Sequence, residues 1–280
     1  MSDNKISIVI VIVLYNSNLN DSKSYLSFTK AIEDSKIDYT LILYNNSKEI
    51  EIPQNESYLV VNADSNQKLT GAYNYTLEYA SNLKKKWILL LDQDTEITTG
   101  YFTELVKFFS SNQISNDTAA IVPFLKENNK ILSPHKIGFF NCLRIKIKSS
   151  GYQKGYITAF NSLSLLHVDF MNSIGGFNTK YPLDFLDYWY YYQIFKFKQK
   201  VFVLDTIVNH ELSLNNYESN ISLARHTELL IAEKTFVKEM GTIHYCFYKI
   251  RLIFRLSKQL LLIKNKNYAN IIFKILTNKL

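Results

Sequence analysis

Residues 87–96 read Trp-Ile-Leu-Leu-Leu-Asp-Gln-Asp-Thr-Glu, an unbroken apolar run that stops at two carboxylates one residue apart. Trp87 to Leu91, preceded by Lys84, Lys85 and Lys86, have the pattern of a central strand covered on both faces. Such a strand needs helices above and below it, which narrows the fold to a layered α/β design. Asp92 and Asp94 fall at the strand's carboxyl end, the edge at which open α/β sheets bind their ligands. With Gln93 turned to the other side, both carboxylates point the same way. Two hard oxygen ligands at one spot suit Mg²⁺ or Mn²⁺ carrying a diphosphate. An isolated Asp-x-Asp is usually a solvated turn; the strand before it and the pattern upstream favour the ligand reading here.

The first half of the chain alternates strands with helices. Residues 6–14, 40–44, 57–61 and 87–91 read as strands, while 22–35 and 70–83 have helical spacing. Tyr25, Phe28 and Ile32 share a face in the first helix, with Leu26 beside them; Ala72, Tyr75, Leu77, Tyr79 and Ala80 are available for packing in the second. Past the carboxylates come a helix at 100–111 and strands at 119–124 and 162–168. A short helix at 171–177 follows, closed by Gly175-Gly176, then a helix at 184–196 and a strand at 200–204. Residues 126–157 are poorly periodic, with a basic stretch at 144–148 that alternates like an edge strand. From His226 onward the pattern is helical almost to the end. The expectation is an α/β fold with a doubly wound, mostly parallel sheet, a domain over 1–220 and a helical basic tail over 221–280.

With 280 residues and 47% hydrophobic content, the chain can bury a sizeable core. Cys142 and Cys246 lie far apart and match no metal or redox spacing, which points to a reducing cytosol. The run at 6–14 is too short to span a bilayer and lacks a small-residue cleavage site. No other segment reaches about 18 uncharged apolar residues, so no membrane crossing is expected. Residues 241–280 carry eight Lys or Arg and no Asp or Glu, and the first 240 residues are left one negative charge net. The basic character belongs to the tail, so a nucleic-acid partner for the whole protein loses its support. Bulky apolar residues mixed with cations suit a helix lying on an anionic membrane surface. The alternative is a packed terminal helix with a solvated basic face.

Four stretches occur in a fixed order: Val11-Ile-Val-Leu-Tyr15-Asn16, Leu41-Ile-Leu-Tyr-Asn45-Asn46-Ser47, Asn66-Gln-Lys-Leu-Thr-Gly71-Ala72-Tyr-Asn74 and Leu91-Asp92-Gln93-Asp94-Thr95. Together they resemble glycosyltransferase family 2, the inverting GT-A enzymes, and Leu-Asp-Gln-Asp-Thr is most similar to its bacterial rhamnosyltransferase members. Ile174-Gly-Gly-Phe177-Asn178 with Leu183-Asp184-Phe-Leu-Asp187-Tyr-Trp189 resembles the family's Gly-Gly-Phe and acceptor-side carboxylate motif, and His210-Glu-Leu-Ser213 its His-x-Leu-Ser. The resemblance covers about residues 6–215.

It implies a role for each matching residue. Tyr15 would lie against the donor's base, and Asn45 would accept the base's imide N–H where the family usually has an Asp. Residues 66–74 would lead into a helix whose first N–H groups face the diphosphate, with Gly71 allowing close approach and Asn74 on the donor side. Asp94 would hold the metal, Asp92 would reach the donor ribose or the metal's surroundings, and His210 would complete the site. Asp187 would be the base that deprotonates the acceptor hydroxyl, with Asp184 its rival. Trp189 stands where a second carboxylate is common, and with Tyr188, Tyr190, Tyr191 and Tyr192 it would floor the acceptor site or pack the core. The implied activity is metal-dependent, inverting transfer of a sugar, rhamnose from a dTDP donor, to a lipid-linked saccharide of a bacterial surface polymer at the inner membrane face. Another nucleotide sugar such as a UDP-hexose, or a non-catalytic nucleotide-sugar-binding role, stays open because of Asn45 and Trp189.

Overall fold

The computed structural model describes residues 6–111, 114–128, 130–138, 141, 143–210 and 222–280. Its strands are β1 (Ser7–Leu14), β2 (Asp38–Asn45), β3 (Leu59–Asn62), β4 (Trp87–Asp92), β5 (Thr118–Glu127), β6 (Lys130–Ser133), β7 (His135–Gly138), β8 (Leu143–Lys146), β9 (Gly151–Gln153), β10 (Ile157–Thr158), β11 (Ser164–His167) and β12 (Lys200–Asn209). The helices are α1 (Lys23–Ile32), α2 (Lys68–Asn82), α3 (Thr99–Ser110), α4 (Val168–Ser173), α5 (Leu186–Lys196), α6 (Leu223–Glu239), α7 (Thr242–Leu262) and α8 (Asn267–Leu276). The chain divides into two compact units, Met1–Lys136 with Lys146–Glu211, and Ile137–Ile145 with Leu212–Leu280.

The first unit is built on a sheet ordered β3-β2-β1-β4-β11-β5-β12-β9, with β6 added on β5. β3, β2, β1 and β4 run parallel, β12 runs parallel to β5, and β11 is inserted antiparallel between β4 and β5. The pleat separates the two faces of β1. Ile8, Ile10, Ile12 and Leu14 join Leu89, Leu91, Phe28 of α1 and Phe102 and Leu105 of α3 in one core, all fully buried. α2 packs against β1 and β4. Each such aliphatic or aromatic side chain taken from water contributes roughly 1.5–3 kcal/mol, so this layer holds the sheet's centre rigid. Register then matters for function. Leu14 lies opposite Asn45, Asn45 opposite Asn62, and Val13 opposite Asp92, so four strands end flush at one edge.

Three local expectations are revised. In α2 the fully buried ring is Tyr73, while Tyr75 stands partly exposed and stacks on Tyr79 at 6.4 Å. The short helix begins earlier, at Val168, and ends at Ser173; Gly175 and Gly176 then take φ of +83° and +79°, and the Gly176 N–H closes on the Met171 carbonyl at 2.8 Å. α5 starts at Leu186 after Phe185 adopts φ +61°, so Asp184 precedes the helix and does not share a helical face with Asp187.

In the second unit the helical pattern breaks into three helices. Gly241, at φ +114°, separates α6 from α7, and Lys266 separates α7 from α8 by donating to the carbonyls of Leu260 and Ile263 at 2.6 and 2.7 Å. Two of the tail's eight cations turn inward. Arg251 and Arg255 reach the buried Glu233 of α6 at 3.0 and 2.7 Å, which satisfies a carboxylate that would otherwise be costly to bury. Cys142, Glu211 to Ser213 and the division at residue 220 lie outside the described residues.

Candidate active site

The loop after β4 is held by the start of α1. Ser24, fully buried, donates from Oγ to the Asp92 carbonyl and to the Thr95 carbonyl at 2.9 Å, and accepts the Thr95 N–H at 3.1 Å. Ser22 Oγ donates to the Gln93 carbonyl at 3.0 Å, and Ser27 Oγ accepts the Ile97 N–H at 2.9 Å. Gln93 also clamps β1: its Oε1 accepts the Tyr15 N–H at 2.8 Å and its Nε2 donates to the Tyr15 carbonyl at 3.3 Å. The Tyr15 ring is left 48% exposed at the sheet's edge. The serines carry no sequence pattern beyond their crowding at 22–27, and sequence reasoning does not single them out.

Asn45 is buried and serves its own loop. Its amide donates to the Ile50 carbonyl at 2.6 Å and to Asn62 Oδ1 at 3.0 Å, and its Oδ1 accepts the Ser47 N–H at 2.9 Å. Its neighbour Asn46 grips the approach to α2, accepting the Gln67 N–H at 2.9 Å and donating to the Lys68 carbonyl at 3.1 Å. Ser47 Oγ accepts the Asn16 N–H at 2.7 Å, tying β2 to β1 beyond their last paired residues.

The amino end of α2 differs from expectation. The N–H groups of Leu69 and Thr70 donate to the Pro182 carbonyl at 3.0 and 3.2 Å, and the Gly71 N–H donates to Gln67. These donors bind protein carbonyls and do not face a diphosphate. Gly71 is needed for packing: a Cβ there would sit 2.3 Å from Gln67 Cβ. Asn74 grips the turn after α4, with Nδ2 donating to the Phe177 carbonyl at 2.9 Å and Oδ1 accepting the Phe177 N–H at 2.8 Å. A side chain at Gly176 would approach Asn74 Oδ1 to 2.7 Å. Asn74 thus links α2 to the Gly-Gly-Phe turn.

Above this frame Asp92 feels the charges of two other carboxylates, Asp94 and Asp187. Burial is the first cause that pushes Asp92 up to about 7, the charge of Asp94 the second, and Asp187 adds to it; the Tyr73 hydroxyl, 3.4 Å from Oδ1, opposes the rise. Burial, then Asp92 and Asp187, raises Tyr73 well above the usual tyrosine value, so it stays a neutral donor. Asp187 sits in the first turn of α5, its Oδ1 accepting the Tyr188 N–H at 2.8 Å. Below it the rings of Tyr73, Phe177 and Tyr190 pack at 5.2 and 5.7 Å, and Tyr191 bonds Ser164 at 2.7 Å. Trp189, Tyr190 and Tyr191 are buried, so they support the core; Tyr188 and Tyr192 are half-buried.

His210 is also buried, its Nδ1 3.3 Å from Thr95 Oγ1, which in turn lies 2.5 Å from Ser162 Oγ. It therefore stands behind the loop that carries Asp94. Among the described residues no three His, Cys, Asp or Glu side chains come together as a metal cage. A Mg²⁺ or Mn²⁺ that arrives with a diphosphate needs only one or two protein carboxylates, the rest of its ligands being phosphate oxygens and water. The exposed Asp94, with Asp92 behind it, fits that requirement, and the repulsion that Asp92 feels from Asp94 and Asp187 is what a divalent cation relieves.

A mostly parallel sheet flush at one edge, with carboxylates at that edge and helices on both faces, defines a GT-A-type fold. Residues 10–168 match the profile of Glycosyl transferase family 2, more than half of the chain, and the chain belongs to that family. No curated protein matches it. Among solved structures it is similar to S. aureus TarS 1-349, with 11% identity, a TM-score of 0.54, and coverage of 98% of this chain and 82% of that one. The same protein in complex with UDP-GlcNAc gives 10% identity, a TM-score of 0.53, and coverage of 97% and 82%. GalNAc-T7 with UDP, GalNAc and Mn²⁺ gives 13% identity and a TM-score of 0.55, over 82% of this chain and 48% of that one. These likenesses are of fold; the family membership makes the chain a glycosyltransferase.

Proposed function

We propose that the protein transfers a sugar, with inversion at the anomeric carbon, from a nucleoside-diphosphate donor to a lipid-linked saccharide of a bacterial surface polymer. The observation that carries this reading is the pair Asp92 and Asp94 at the carboxyl end of β4, with the charge of Asp187 from α5 acting on Asp92, in a family 2 chain. In this reading Asp94 holds Mg²⁺ or Mn²⁺ with Asp92 beside it, and the bound cation offsets the charge that develops on the leaving diphosphate. Asp187 accepts the proton of the acceptor hydroxyl on the opposite face of the sugar. Tyr15 offers an exposed ring for the base, Asn45 and Asn74 keep the donor loops in shape, and Gly71 seats the amino end of α2. His210 acts through Thr95 by backing the metal loop, Asp184 borders the acceptor side, and the buried Trp189 supports that side from the core. Residues 1–220 carry the chemistry, and 221–280 attach the protein to the cytoplasmic face of an anionic membrane.

The first donor to test is dTDP-rhamnose, on the similarity of Leu91-Asp92-Gln93-Asp94-Thr95 to rhamnosyltransferases. A UDP-hexose is the second, since the Asn45 amide is engaged by its own loop and leaves the choice of base open. Titrating dTDP and UDP into the protein by calorimetry, with and without Mn²⁺, separates the two. Binding of neither nucleotide in the presence of metal would remove the donor assignment, and retention of anomeric configuration in the product would remove the inverting step.

A further inference from the structure

Helix α7 is amphipathic the wrong way round for a helix that only packs. Its inward side buries Tyr248, Leu252 and Gln259. At 100° per residue, Ile243, Ile250, Ile253, Phe254, Leu260 and Leu261 fall within an arc of roughly 120° on the other side. All six are about half exposed or more, Phe254 at 72% and Leu261 at 82%. An apolar stripe of this extent on a helix surface, interrupted here by the exposed Ser257, marks an interaction site.

We propose that this stripe is the surface by which the protein enters an anionic membrane, α7 lying flat in the headgroup layer with Phe254 and Leu261 pointing into the acyl boundary. The proposal rests on the membrane reading above and gives it a specific face. Charge decides the occupant. On the same helical projection Lys249 and Lys258 border the stripe on its two sides, and no acid occurs anywhere from 241 to 280. Arg251 and Arg255 are not part of this rim, since they hold Glu233. A flat helix with apolar residues down and lysines at the waterline is the arrangement that binds anionic lipid. A second copy laid on the same face would bring lysines against lysines with no carboxylate from the segment to pair them. Crossing the bilayer is not available to α7: it carries four Lys or Arg, and no helix among the described residues is long and apolar enough to span.

The full chain is mixed with phosphatidylcholine vesicles with and without phosphatidylglycerol, and sedimented at low and high salt. The wild type should co-sediment with the anionic vesicles and keep part of its binding at high salt, the apolar share that ions do not screen. Phe254→Asp with Leu261→Asp should weaken binding at least about tenfold at unchanged melting temperature, because both residues face solvent. Lys258→Ala should weaken it only at low salt. Phe254→Trp should retain binding, and the emission of the added indole should shift to the blue and be quenched by brominated lipid. Wild-type binding that the double aspartate variant leaves intact, or an emission of the Phe254→Trp variant indifferent to lipid, overturns the face while leaving membrane attachment standing. No binding by the wild type overturns both. A concentration-dependent dimer in light scattering, abolished by the aspartates without vesicle binding, assigns the stripe to self-association and also overturns the proposal.

Discussion

Replacing Asp92 with Asn should make the metal-free protein more stable and less able to hold its donor. Asp92 is pushed up from 3.8 to about 7 by burial and by the charges of Asp94 and Asp187. Each tenfold change in proton affinity corresponds to 1.36 kcal/mol, so the ionised carboxylate is disfavoured by at most about 4 kcal/mol relative to the unfolded chain. Relaxation of the exposed Asp94 makes about 2 kcal/mol a realistic lower figure. The sign follows from the raised value. The folded state binds the Asp92 proton more tightly than the unfolded state, so stability is lost as pH climbs from about 4 to about 7. An Asn has no proton to lose, and it keeps an oxygen for the Tyr73 hydroxyl. The variant's advantage should therefore be near zero at pH 4 and complete at pH 8, where it amounts to a rise in Tm of roughly 5–10 °C. Thermal unfolding by circular dichroism across that range, with chelator present, measures it. Added Mn²⁺ should stabilise the wild type more than the variant and close the gap. A Tm difference that is flat with pH, or a variant less stable at pH 8, would refute the electrostatic account of the site.

Four further outcomes test neighbouring parts of the site. Asp94→Ala should abolish Mn²⁺-dependent binding of nucleoside diphosphate in calorimetry while the fold persists, since the residue is exposed; unchanged affinity removes it from the metal site. Asp187→Asn should cut turnover at least about a hundredfold with donor affinity nearly unchanged, and if Asp184→Asn is the inactive variant instead, the base has been misassigned. Ser24→Ala removes a fully buried hydroxyl whose one proton is shared between the Asp92 and Thr95 carbonyls and whose oxygen accepts the Thr95 N–H; it should cost about 1–3 kcal/mol in urea unfolding, with weaker metal-dependent donor binding because the Asp94 loop loosens. Gly176→Ala places a methyl against Asn74 at φ +79° and should destabilise by roughly 1–2 kcal/mol or more, measurable as a lower urea midpoint; a neutral effect would mean the turn relaxes freely.

Much of the frame is readable in the chain because its cause is local. Trp87 to Leu91 is continuously apolar because both faces of β4 are covered, and the glycines at 175 and 176 end a helix because only they take positive φ cheaply. The start of α5 lies two residues beyond its expected place. Helical spacing continues back through Asp184, but Phe185 turns left-handed and resets the helix at Leu186, which separates Asp184 from Asp187. The break of the tail into α6, α7 and α8 is not visible in the helical spacing either, although Gly241 marks one of the two joints.

Asn45 and Asn74 show a different limit. Both stand in motifs that point to the donor, yet their amides are engaged by backbone groups far away in sequence or on the far side of a loop. Which partner an amide takes depends on distances that no spacing rule contains. The same holds for Ser24, whose hydroxyl reaches the strand end 68 residues away.

Composition and periodicity alone determined the layered α/β design, the strand that delivers Asp92 and Asp94, and the segregation of positive charge into the last 40 residues; the ordered motifs added the family. These depend on side-chain type and on repeats of two or 3.6 residues, which are properties of the chain itself. Tertiary structure alone decided that the charge of Asp187 bears on Asp92, that Trp189 faces the core, and that Arg251 and Arg255 turn inward onto Glu233. Those outcomes follow from burial and charge between residues remote in sequence. The free energy of ionising a group or pairing it is set by what packs around it, and that neighbourhood exists only once the chain has folded.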